Sequence, residues 1–191
     1  PNFEPRRGPM VSKYIAAAKT PLVFMPLKSG PTASICQWLA SLDGVTEDAL
    51  QTGMKQGDMR KWMQANPGHR RFTVLRHPIA RAHAAFCEHF LPKKASGFSE
   101  IRKTLKNAYG LNLPNRDLMP ETDKQYDMQT HERAFIGFLK FLKNNLNAQT
   151  SLRIDPAWAS QTTLIQGMSE FAPIDLILRE DGLDRDLSHL A

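Results

Sequence analysis

The residues best suited to chemistry in this chain begin at Lys28-Ser29-Gly30-Pro31-Thr32-Ala33. Lys28 supplies a mobile cation, and Ser29 and Thr32 supply hydroxyl donors. Before them, Leu22 to Leu27 is an apolar run of strand length; after them, Ala33 to Leu39 reads as a helix. A strand that turns through such a loop into a helix aims the N–H groups of the first helical turn at an anion. The helix dipole adds to the attraction. The loop Lys28, Ser29, Gly30, Pro31, Thr32 and Ala33 is therefore expected to cradle a phosphate.

A second group lies at Arg76-His77-Pro78. It ends the β-prone run Arg71 to Leu75, and a helix follows with Pro78 well placed in its first turn. Ile79, Ala82, Phe86 and Phe90 recur at helical spacing and form one apolar stripe. Arg76 offers a planar fork that grips an oxyanion at two points. Two strand–turn–helix units in succession imply parallel pairing, and ligands of such sheets sit beyond the carboxyl ends of the strands. The Lys28 loop and Arg76 are thus expected on one edge. Where a general base is needed, His or Glu is best suited near neutral pH. Glu88 and His89 follow the second group and are the candidates; His131 and Glu132 are the alternatives, and the sequence does not choose among them.

The elements expected to position these groups are helices at 32–42, 78–90 and 130–147, the last capped by Thr130. Residues 1–20 read as a leader. A polar helix is expected from Thr46 to Ala65 and a short one from Ser99 to Ala108. A long connection fills 109–128. Leu164-Ile165 and Asp175 to Leu178 are the remaining strand candidates, and a final helix runs to the end. The expectation is one α/β domain over 1–191, three-layered and P-loop-like, with a short, mostly parallel sheet flanked by helices.

The chain has 191 residues, 41% hydrophobic and 23% charged, which is enough for a real core. No apolar run approaches the roughly 20 residues of a membrane helix. The net charge of +6 suits an anionic ligand but is too scattered to argue for nucleic acid. Cys36 and Cys87 make neither a disulfide framework nor, with no ligand cluster in the sequence, a metal site, so buried free thiols are expected. No Asn-x-Ser/Thr glycosylation sequon occurs, which favours a cytoplasmic protein. Oligomeric state is left open. Leu27 stands where a nucleoside-triphosphate P-loop has the glycine before its lysine, which disfavours an ordinary ATPase or GTPase.

Pro26-x-Lys28-Ser29-Gly30-x-Thr32 after a strand resembles the 5′-phosphosulfate loop of the sulfotransferase superfamily. Val74 to Phe86 resembles that superfamily's 3′-phosphate element, and the two stand in the family's order. Asp155-Pro-Ala-Trp158 with Gln161, and Asp175 to Glu180, are weaker matches to later segments of its carbohydrate-type branch. The resemblance implies transfer of a sulfuryl group from 3′-phosphoadenosine-5′-phosphosulfate (PAPS) to an acceptor hydroxyl, on a glycan or small molecule, without a metal. Lys28 would neutralise the departing phosphate oxygen, amides of residues 29–33 would hold the 5′-phosphate, and Arg76 would clamp the 3′-phosphate. Ala84 stands where the family has serine, and Ala157 where it has histidine. Each lost donor is worth about 1–3 kcal/mol. The alternatives are a non-catalytic binder of the nucleotide or of a sulfated glycan, and a P-loop-like kinase.

Overall fold

The computed structural model describes residues 14–91, 98–114 and 123–190. In chain order the elements are β1 (Tyr14–Ala16), β2 (Leu22–Phe24), α1 (Thr32–Asp43), β3 (Gln51–Met54), α2 (Gln56–Ala65), β4 (Arg70–Leu75), α3 (Pro78–His89), α4 (Ser99–Tyr109), α5 (Met128–Leu146), α6 (Gln161–Phe171), β5 (Leu176–Arg179) and α7 (Leu183–Ser188). Two compact units result: residues 14–77 with 159–190, and residues 78–158. Residues 1–13 of the expected leader, 92–94 after α3 and 115–122 of the long connection lie outside the described residues.

The first unit is an α/β arrangement around a five-stranded mixed sheet of order β3-β1-β2-β4-β5. β2, β4 and β5 run parallel, with Leu22 opposite Arg70 and Phe72 opposite Leu176. β1 is antiparallel to both β2 and β3, so the sheet is mixed rather than mostly parallel. The difference comes from residues 14–16, which the sequence assigned to a leader. They form a hairpin with β2, and Ala17 N–H closes it on the Leu22 carbonyl at 3.0 Å. Buried Asp43, at the end of α1, accepts from Lys19 N (2.7 Å), Thr20 N (3.1 Å) and Thr20 Oγ1 (2.5 Å), which fastens the hairpin turn.

Two further expectations change. The segment from Thr46 to Ala65 is a 3-10 turn, then β3, then α2, rather than one helix. Leu164-Ile165 lies inside α6, where Ser160 Oγ caps the Thr163 N–H at 3.0 Å and Leu164 and Met168 bury one face. The core of this unit gathers Phe24, Ile35, Leu39, Phe72, Val74 and Leu178. Phe24 and Phe72 stack at 5.3 Å across the parallel pair. Parallel strands bury both faces, which is why β2 reads as an unbroken apolar run.

The second unit is helical and packs Phe86, Phe90, Phe138, Phe141 and Trp158 together. Asn145, at 1% exposure, accepts from Trp158 Nε1 at 2.9 Å and donates to the Leu152 carbonyl at 2.8 Å. Its polar atoms are therefore matched inside an aromatic core. α5 is capped by Asp127, whose carboxylate accepts the Thr130 N–H at 2.8 Å; Thr130 receives the cap rather than making it. No helix among the described residues is long and apolar enough to cross a membrane.

Candidate functional site

The carboxyl ends of the three parallel strands carry, in turn, the Lys28 loop, Arg76 and Glu180. In the loop, Ser29 is buried and takes a left-handed backbone conformation, φ 58°, unusual for a residue with a Cβ. Such residues recur where backbone curls into anion-binding concavities. Gly30 is required sterically, since a Cβ there would sit 2.8 Å from the Leu27 carbonyl oxygen. Lys28 is half-buried beside them.

Not all amides of residues 29–33 face outward. Gly30 N–H bonds the Leu27 carbonyl and Thr32 N–H bonds the Gly30 carbonyl, both at 2.9 Å, and these bonds shape the turn. Pro31 has no N–H. Ala33 and Ser34, both exposed in the first turn of α1, keep amides that helix geometry directs out of the N-terminal end. Pro31 at the N-cap makes no side-chain cap, and no acidic residue lies in the first turn. The positive end of α1 is therefore not offset by its own first-turn side chains.

Arg76 meets this loop directly. Its Nη1 donates to the Ser29 carbonyl at 3.2 Å. Its Nε and Nη2 donate to the two oxygens of Glu180, each at 2.7 Å, a two-pronged ion pair. Gln161, at the start of α6, holds the Arg76 backbone: its Oε1 accepts from Arg76 N at 3.1 Å and its Nε2 donates to Arg76 O at 2.8 Å. In the sequence, Glu180 and Gln161 stand only within the weaker family matches, with no role attached. The available signal for Glu180 was its place just after β5, the third parallel strand.

The base candidates belong to the second unit. Glu88 and His89 end α3, with His89 Nε2 3.7 Å from Glu88 Oε2. The His89 ring stacks on Phe98 with centroids 4.7 Å apart, which fixes its plane. His131 lies instead against His83, Nε2 to Nε2 at 2.8 Å, and Glu132 is exposed. The structure thus joins the Lys28 loop to Arg76 in one unit, and pairs Glu88 with His89 in the other. Comparison with protein-family models, curated proteins and solved structures finds no match for the chain.

Proposed function

We propose that this chain is a PAPS-dependent sulfotransferase of P-loop-like, three-layered fold, acting on a hydroxyl of a glycan or small molecule. The observation that carries the reading is the 3.2 Å bond from Arg76 Nη1 to the Ser29 carbonyl, which seats a guanidinium against the strand–loop–helix anion cradle. Two cationic groups beside one helix N-terminus suit a nucleotide that carries phosphate at two places. In this reading the acceptor oxygen forms a bond to sulfur as the bond from sulfur to the 5′-phosphate oxygen breaks. Lys28 offsets the charge that gathers on that leaving oxygen. The acceptor's proton goes to a general base.

One observation favours a second reading, a nucleotide or sulfated-glycan binder without transfer. The Arg76 fork already grips the Glu180 carboxylate, an anion that would compete with a 3′-phosphate for the same two N–H groups. Thermal unfolding with 3′-phosphoadenosine-5′-phosphate, compared with ATP plus magnesium, tests both readings against a kinase. Stabilisation by the former at a hundredfold excess over Kd amounts to about 2.7 kcal/mol. Stabilisation by ATP alone overturns the sulfotransferase reading. Incubation with PAPS and a panel of glycans and alcohols then separates enzyme from binder, because only an enzyme yields sulfated product.

A further inference from the structure

His83 and Cys87 are four residues apart on α3, which puts both side chains on one helix face. His131, in the first turn of α5, meets them there. Cys87 Sγ lies 3.6 Å from His83 Nε2, and His83 Nε2 lies 2.8 Å from His131 Nε2. One ligand atom from each of the three residues falls within 4.8 Å of the others. All three belong to the second unit, whereas the Lys28 loop and Arg76 belong to the first.

We propose that His83, Cys87 and His131 form a zinc-type transition-metal site with a fourth position open to water. Tetrahedral zinc with nitrogen at about 2.0–2.1 Å and sulfur at about 2.3 Å requires nitrogen–sulfur edges of roughly 3.5 Å and a nitrogen–nitrogen edge of roughly 3.3 Å. The Cys87–His83 edge, 3.6 Å, already has that length, and the Cys87–His131 edge lies within 4.8 Å. The nitrogen edge must open by about half an ångström, and His83 is exposed and able to turn. Without a metal, two Nε2 atoms at 2.8 Å share one proton between them. With one, both Nε2 lone pairs face the ion and the Cys87 thiol proton is released to solvent.

The surroundings supply what a bound metal needs from its neighbours. Tyr126 Oη lies 3.2 Å from His131 Nδ1 and can accept from Nδ1–H in the tautomer that leaves Nε2 free for the ion. Phe86 meets the His131 ring edge-on at 5.5 Å and orients it, while Phe135 meets the exposed His83 ring edge-on at 4.9 Å. Two imidazoles and one thiolate suit zinc or copper rather than magnesium or calcium. Three protein ligands leave one position for a water or a small anion.

Chelator-stripped protein, carrying Cys36→Ser to remove the other thiol, is titrated with cobalt(II) and then with zinc. The expected result is one equivalent bound, with tetrahedral visible bands, a near-ultraviolet thiolate-to-cobalt band, and displacement by zinc. Cys87→Ser abolishes the near-ultraviolet band. His83→Ala lies on the surface and leaves the fold in place by circular dichroism, yet weakens zinc at least a hundredfold. Tyr126→Phe, which keeps every ligand, weakens zinc about tenfold. Absence of stoichiometric binding, survival of the sulfur band in Cys87→Ser, or zinc affinity within twofold in folded His83→Ala each overturns the assignment.

Discussion

Arg76 and Ser29 join the ends of two parallel strands, through a guanidinium N–H held 3.2 Å from a carbonyl oxygen. The bond runs from the turn after β4 to the loop after β2, so Arg76 and the Lys28 loop share one frame. Glu180, after β5, holds the rest of the guanidinium and brings in the third strand.

Glu180 competes for the N–H groups that a nucleotide phosphate would use. Glu180→Gln keeps the shape and removes the charge. The expected outcome is about tenfold tighter binding of 3′-phosphoadenosine-5′-phosphate by calorimetry, worth about 1.4 kcal/mol. Stability should fall by about 1 kcal/mol, because the charge-assisted pair is partly exposed. Unchanged nucleotide affinity would show that Arg76 only braces the strands.

Gly30→Ala forces a methyl group against backbone that cannot retreat. A Cβ 2.8 Å from the Leu27 oxygen must push the loop open. A loss of about 1–3 kcal/mol in urea unfolding is expected, together with loss of the thermal shift by nucleotide.

Lys28→Ala separates binding from chemistry. If Lys28 acts on the leaving oxygen, kcat falls by about 10²–10³ while affinity for the desulfated nucleotide changes only a few fold. If Glu88 or His89 is the base, its variant, Glu88→Gln or His89→Asn, loses kcat and the corresponding limb of the pH–rate profile.

Asp43 makes stability depend on acid. Burial works to raise its carboxyl, but bonds from the Thr20 hydroxyl and from the Lys19, Thr20 and Ala18 amides hold it below the ordinary value. The Arg71 side chain, opposed by burial, does the same for Asp175, bonded at 2.8 and 2.9 Å. Folded pKa values lie below the unfolded value of about 3.9, so the stabilisation is complete above about pH 5. It is lost as pH falls through the folded values, because the unfolded chain takes up protons first. Asp43→Asn should lower stability at pH 7 and flatten the acid side of a pH–stability curve followed by circular dichroism.

The loop after β2 was legible because an apolar run, a Lys-Ser-Gly turn and a helical period succeed one another within one short stretch. Helix α5 was legible for its long stripe, from Phe135 to Leu146, although Asp127 caps it. β1 was not legible: Tyr14-Ile15-Ala16 is too short to show a period, and all three residues are buried by strands paired on both sides. β3 reads Gln-Thr-Gly-Met with only Met54 buried, so pairing with β1 makes it a strand rather than its own pattern. Leu164-Ile165 misled because two adjacent apolar residues fit either period. The His83–Cys87 pair lies within one helix, α3. Its four-residue spacing was visible; the partner His131, on another helix, was not.

Pairing of β4 with β5 sets an order of events during synthesis. Phe72 finds its partner only when Leu176 has been made, and everything between must leave the ribosome first. The helical unit of residues 78–158 is contiguous and can condense while the sheet still lacks its last strand. Until then β4 has an open side and is the nascent chain's exposed template for unwanted strand pairing.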